Sequence, residues 1–318
     1  MLKRSLFVLG LSIFTIGLFA QSVEEAGAKY NEGNTALKEK KYSSAVASYE
    51  EALKIANASM DADDLKGNIE KQLMTAYMKN GLSLYKKKSY DESLAQLEKS
   101  GGLADQLGDA STSKKVFEYK AKIRSSKGLS LLKAKKYDEA LAEFDKVHAE
   151  KSNCAISYYG KGLVYKEKGD MNKMMENMDE AIKIGAEQPK MAKYGEKAKD
   201  AAAKTLLAEA TAEITKEHGK EAAMLINDSF KYAPGTADTY YYLTIAYNKN
   251  KQYTEAAEAA NKAISMQQGD KSSIYFELGQ ALEGGGDAAG ACAAYKKVTS
   301  GPNVEAAKYQ MTQTLKCG

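Results

Sequence analysis

The chain is 318 residues long, with 46 basic and 42 acidic side chains and a formal net charge of +4. That near-balance excludes the strongly basic domain expected of a nucleic-acid binder, so the many Lys and Glu residues read as solvated helix surface. Three Pro, no Trp and seven Phe beside abundant Ala, Lys, Glu, Leu and Tyr point to long amphipathic helices, and no alternating β-branched run predicts a sheet.

At the N-terminus, Lys3 and Arg4 make a basic start, Leu6 to Phe19 an apolar run, and Ala20 a small residue ahead of Gln21. This layout predicts an export signal over residues 1–20, cleaved near Gln21. The run is shorter than the about 20 apolar residues that span a bilayer, so no membrane span is expected after cleavage. Without Lys3 and Arg4 the 46 basic side chains fall to 44 against 42 acidic ones. No cysteine lies near the cut, so a lipid anchor is not expected.

From Gly33 onward the text repeats. Gly33 is followed by Tyr42, Ala45, Tyr49 and Ala52; Gly81, at the same intervals, by Tyr90, Ser93, Leu97 and Ser100; Gly128 by Tyr137, Ala140, Phe144 and Val147. Gly162 leads to Met171, Met174, Met178 and Ala181. A degraded copy holds Ala210, Ala222, Ile226 and Ser229, with Pro234 after it. Thr244 leads to Tyr253, Ala256, Ala260 and Ala263, and Gly279 to Ala291, Tyr295 and Val298, with Pro302 closing the turn. The spacing predicts pairs of antiparallel helices in which the glycine lets the first helix approach the second, and the small residues form one buried stripe. Neither helix buries that stripe alone, so successive pairs stack on a shared core.

Successive repeats start 48, 47, 34, 48, 34 and 35 residues apart. The extra residues before Gly81 read as a lengthened first helix beginning near Asp61 or Asp63, and those before Gly128 as another, capped by Ser111 or Ser113. The stretch from Glu187 to Ile214 likewise adds or lengthens a helix. Met171, Met174, Met175 and Met178 invite a copper reading, but three of them fall on the repeat's buried positions and are read as core, so no metal and no cofactor is expected. His148 and His218 sit in different repeats with no carboxylate or cysteine motif beside them. GxSxG, HExxH, P-loop and CxxC signatures are absent, and no catalytic residue or enzyme activity is predicted.

The lines KEKKYSSAVASYEEAL, KKKSYDESLAQLEKS and KAKKYDEALAEFDKV align without a gap and resemble tetratricopeptide repeats. The resemblance implies an all-α fold, an α-solenoid of about seven helix hairpins over residues 21–318. The repeats would cover approximately 26–60, 74–108, 121–154, 155–188, 203–236, 237–270 and 272–302, with a capping helix over 303–316. A cap folding back on the last repeat would bring Cys292 and Cys317 together as a disulfide, the alternative being two free thiols, and Cys154 is left as a buried thiol.

In proteins similar to this one the first helices line a groove that holds partner peptides. Carried over by spacing, that groove is expected to use Tyr30, Asn34, Leu37 and Lys38, then Met78, Leu82, Tyr85 and Lys86, then Ser125, Leu129, Leu132 and Lys133. Tyr159, Leu163 and Lys166 follow, then Tyr241, Ile245 and Phe276. Lys38, Lys86 and Lys133 recur at one place in three repeats, which suits an acidic and apolar segment. The family's chaperone-binding clamp needs Lys and Arg where Tyr30 and Ser125 stand, so capture of a C-terminal carboxylate in that way is not expected. The function implied is a non-enzymatic protein-binding scaffold of an exported bacterial type, periplasmic, outer-envelope associated or secreted. The alternatives are a self-associating structural envelope protein, and a glycan or peptidoglycan binder using Tyr158, Tyr159 and Tyr240 to Tyr242.

Overall fold

The computed structural model describes residues 23–59, 62–150 and 153–317. The expected export signal and Asp61 lie outside the described residues. Regular structure among those residues is helical throughout, with no strand, and the chain divides into two compact units, one ending at Gly169 and one beginning at Asp170.

The first unit contains α1 (residues 23–38), α2 (Tyr42–Asn57), α3 (Asp63–Lys86), α4 (Tyr90–Gln106), α5 (Ala110–Lys133), α6 (Tyr137–Ala149) and α7 (Ala155–Glu167). The second contains α8 (Met171–Glu187), a 3₁₀ turn (Pro189–Met191), α9 (Ala192–Thr215), α10 (Gly219–Ser229), α11 (Ala237–Lys249), α12 (Tyr253–Met266), α13 (Ser272–Gly284) and α14 (Ala288–Tyr295). It ends with α15 (Val304–Tyr309), which passes into a π-helical turn (Gln310–Thr314). From α2 to α7 and from α8 to α14 each helix packs on its neighbour in the chain, the α-solenoid arrangement of helix hairpins.

In four of the pairs the packing follows from one glycine and one large side chain sixteen residues later. A Cβ built on Gly33 would come within 2.5 Å of the Tyr49 ring, on Gly128 within 2.5 Å of Phe144, on Gly279 within 2.5 Å of Tyr295, and on Gly81 within 3.0 Å of Leu97. Tyr49, Leu97, Phe144 and Tyr295 are among the largest fully buried side chains. Each therefore removes a full apolar payload from water, about 1.5–3 kcal/mol for a side chain of this kind. Phe144 also faces Gly160 of α7, so its ring lies between the backbones of two first helices.

Each first helix stops by the same device. Lys40, Lys88, Lys135, Gly169, Glu217, Lys251 and Gly286 all have positive φ, between 57° and 87°. The residue after the turn donates back five residues: Lys41 to Ala36, Ser89 to Leu84, Lys136 to Leu131, His218 to Glu213, Gln252 to Tyr247 and Asp287 to Leu282. These are Schellman closures, which satisfy carbonyls the helix end leaves open. Glycine adopts the left-handed conformation freely; for Lys and Glu it costs about 1–2 kcal/mol per residue.

Three first helices, α3, α5 and α9, are 24 residues long. The α3 helix begins at Asp63 with Ala62 before it. The α5 cap differs from the expected Ser111 or Ser113: Asp109 is the cap, its Oδ1 accepting from the Thr112 amide at 3.0 Å. The reason is the preceding turn, where Gly108 at φ 67° closes α4 at once and lets α5 start at Ala110.

Candidate functional site

In the first unit the expected groove residues come from α1, α3 and α5. Lys38, Lys86 and Lys133 are each the last residue of their helix. A cation there meets the negative end of the helix dipole, which by itself favours lysine at this place. All three are exposed, and none enters the ion pairs found among the described residues. Their apolar neighbours are half-buried rather than free. Tyr30 and Leu37 lean on the core that contains Ala45 and Tyr49, Met78 and Tyr85 on Leu94 and Leu97, and Leu129 and Leu132 on Ala140 and Phe144. Leu82, Tyr159 and Leu163 are also half-buried.

Two of these positions carry a structural task that the spacing did not reveal. Asn34 accepts the Tyr49 hydroxyl at 2.8 Å on Oδ1, which satisfies the one polar atom of a fully buried ring. Burial, with Tyr30 nearby, pushes the Tyr49 phenol up to about 12. The Tyr85 hydroxyl lies 3.0 Å from Ser126 Oγ. Ser125 is buried and donates to the Ala121 carbonyl at 2.8 Å.

Beside α5 and α6 lies a charge network absent from the expectations. The nearly buried Glu143 accepts from Lys146 at 2.9 Å and lies 3.2 Å from Lys127 and 3.6 Å from Arg124. Burial alone would raise its carboxyl, but the bonds from Lys146 and Lys127 outweigh it and hold the group below its ordinary value. His148 stacks on Tyr158 with centroids 4.1 Å apart, and its Nε2 lies 2.9 Å from Ser157 Oγ. Burial, then the charge of Lys161, pushes the imidazole down to about 4. Cys154 is a free, buried thiol 3.6 Å from Ser125 Oγ.

In the second unit, α11, α13 and the C-terminal turn enclose a cleft. Ile245, one of the expected groove residues, is on its wall, together with Asn248, Lys249, Tyr253, Glu277, Gln280, Glu283, Gly284, Tyr295 and Gln310. Tyr241 and Phe276 are half-buried nearby on the same two helices, Tyr241 against the core of Ala260 and Ile274 and Phe276 against Tyr295 at 5.8 Å. Asn248 Nδ2 donates to both the backbone carbonyl of Glu277 at 3.0 Å and its Oε2 at 2.9 Å. Burial raises the Glu277 carboxyl against the opposing pull of Asn248 and Lys249. Tyr295 donates to Glu283 Oε2 at 2.7 Å, and burial followed by that carboxylate raises the phenol. The spacing overlooked Asn248, Glu277 and Glu283. A usable signal existed, since Glu277, Gln280 and Glu283 recur every three residues on one face of α13, and Asn248 follows Ile245 by one turn.

Cys292 and Cys317 form a disulfide, Cα to Cα 5.8 Å, which ties the C-terminal segment to α14. Met174 and Met178 are fully buried, while Met171 and Met175 are half-buried. Among the described residues no group of His, Cys, Asp and Glu is placed to hold a metal ion, and no helix is long and apolar enough to cross a membrane.

Profiles described as tetratricopeptide repeat match residues 26–59 and 155–186, and a further one residues 250–305. No curated protein sequence matches the chain. Among solved structures it is similar to a tetratricopeptide repeat protein from Parabacteroides merdae, with 15% identity over 94% of this chain and 100% of that one, TM-score 0.30. It is also similar to MamA from Desulfovibrio magneticus, with 18% identity over 61% of this chain and 97% of the other, TM-score 0.33. A third likeness is to the TPR2AB domain of yeast Sti1 in complex with an HSP90 peptide, with 16% identity over 92% and 95% of the two chains, TM-score 0.34.

Proposed function

We propose that this chain, which is a tetratricopeptide repeat protein, works as an envelope scaffold that holds a protein or peptide partner along the first helices of its repeats. The observation that carries the reading is the row Lys38, Lys86 and Lys133. Three ammonium groups stand exposed and unpaired at equivalent helix ends, each next to half-buried apolar side chains such as Leu37, Tyr85 and Leu132. Such a row fits a partner segment that alternates acidic and apolar residues, with the charges steering encounter and the apolar rim holding the contact. The basic start and apolar run of residues 1–20 support export, and the Cys292–Cys317 bond fits an oxidising compartment.

The test is recovery of a partner from envelope extract on the immobilised mature chain, compared with a K38A/K86A/K133A variant. Loss of about tenfold in retained partner, and a matching loss at raised salt, is the expected result. Undiminished recovery by the triple variant sinks the row as the binding surface. Cell fractionation tests export separately: a full-length product confined to the cytoplasm would refute it.

A further inference from the structure

The cleft of the second unit is short of hydrogen-bond donors and of positive charge. Glu277 and Glu283 both line it, and neither enters an ion pair among the described residues. The ammonium on its wall, that of Lys249, lies 2.7 Å from Glu217 instead. Asn248 turns its amide nitrogen to Glu277 at 2.9 Å, which leaves its carbonyl oxygen buried with no donor, and the side-chain oxygen of Gln310 is buried and donorless in the same way. Tyr295 has one hydroxyl proton and gives it to Glu283.

Buried acceptors without donors and a desolvated carboxyl with no ion-pair partner are both unfavourable, so a native cleft that holds them together is matched to something it receives. The missing group must bring positive charge and several donors at once. A guanidinium does this, with five N–H donors in one plane, whereas an ammonium offers three on a strongly hydrated point charge. Ile245 and the half-buried ring of Tyr253 on the cleft wall suit the aliphatic stem and flat face of an arginine.

We propose that the cleft formed by α11, α13 and the C-terminal turn is a binding site for an arginine side chain presented by a protein or peptide partner. It is separate from the lysine row of the first unit and stands or falls independently of it. Gln310 enters the site from the segment held by the Cys292–Cys317 bond, so the disulfide positions one wall.

The test uses the chain from Gln21 onward and a fluorescein-labelled peptide alternating Gly and Arg, read by fluorescence anisotropy at low salt. Companion peptides carry Lys, or the neutral isostere citrulline, in place of Arg. The arginine peptide should bind more tightly than the lysine one, and the citrulline peptide should not bind measurably. Glu277→Gln and Glu283→Gln should each weaken the arginine peptide by at least about tenfold, while K86A leaves it unchanged. Both substitutions keep an acceptor for Asn248 or Tyr295, and thermal unfolding monitors the fold. Should Glu277→Gln unfold the unit, Glu283→Gln decides alone. Equal binding of the citrulline peptide, or a change below about twofold in the folded variants, overturns the proposal.

Discussion

The long first helices α3, α5 and α9 and the short ones α7, α11 and α13 run 24 against 13 residues. The helix before each follows suit: α2, α4 and α8 have 16, 17 and 17 residues, while α6, α10 and α12 have 13, 11 and 14. An inserted stretch is therefore a prolonged hairpin, shared between the end of one repeat and the start of the next. At about 1.5 Å per residue the extra length adds about three helical turns. Each extension carries its own seam. Ala52 and Ala56 of α2 join Ile69 and Leu73 of α3 in one cluster, Gly101 of α4 faces Val116 of α5, and Gly185 of α8 meets the backbone of Gly195 in α9. The turn inside each repeat stays constant while the turn between repeats varies, which teaches that register is set by the left-handed closure, joined in four repeats by the glycine–large-residue pair.

Breaking the constant part should have the largest effect. Phe144→Ala empties the space between Gly128 and Gly160 and should destabilise the first unit by about 3–5 kcal/mol in urea unfolding; a loss under about 1 kcal/mol would place the constant seam elsewhere. The extensions come next. Gly185→Ala puts a methyl against Gly195 Cα at 2.8 Å and should cost about 1–3 kcal/mol, whereas Gly67→Ala, with nothing within 4 Å inside α3, should stabilise by about 0.5–1 kcal/mol. If the two behave alike, the extension is not held by close backbone approach.

The turns separate glycine from lysine at one conformation. Gly286→Ala should destabilise and Lys88→Gly should stabilise, each by about 1 kcal/mol, and thermal unfolding of the pair in parallel tests whether the closure is common to all repeats. The smallest effect concerns pH. His148 titrates near 6.5 when unfolded and at about 4 in the fold. Between those values the unfolded chain binds the extra proton, so stability falls as pH drops through that window. His148→Gln should flatten the slope between pH 6.5 and about 5; an unchanged slope would mean the ring is not held neutral by its burial and the charge of Lys161.

Much of this was legible in the text. The sixteen-residue step from Gly33 to Tyr49, Gly81 to Leu97, Gly128 to Phe144 and Gly279 to Tyr295 is a local property of two antiparallel helices, so periodicity reports it directly. The irregular intervals likewise announced long helices, though not that the preceding helix shares the lengthening. The candidate sites were less visible. Asn34 has the groove spacing, yet its oxygen belongs to Tyr49, because a buried hydroxyl on another helix needed an acceptor there. Lys40 and its equivalents give no hint of positive φ, since a lysine is locally disfavoured in that conformation and only the closure of the hairpin holds it.

The order of residues by itself determined helix pairs, their contact positions and the recurrent lysine at the helix ends, because these depend on a 3.6-residue period and on side-chain size. Tertiary structure alone decided which polar atoms are satisfied within the chain and which are left over. Asn248 and Gln310 are far apart in sequence and ordinary in type; only when α11, α13 and the disulfide-held end come together are their side-chain oxygens buried without donors, beside Glu277 and Glu283. That shortfall is a property of the enclosed space, and no one segment contains it.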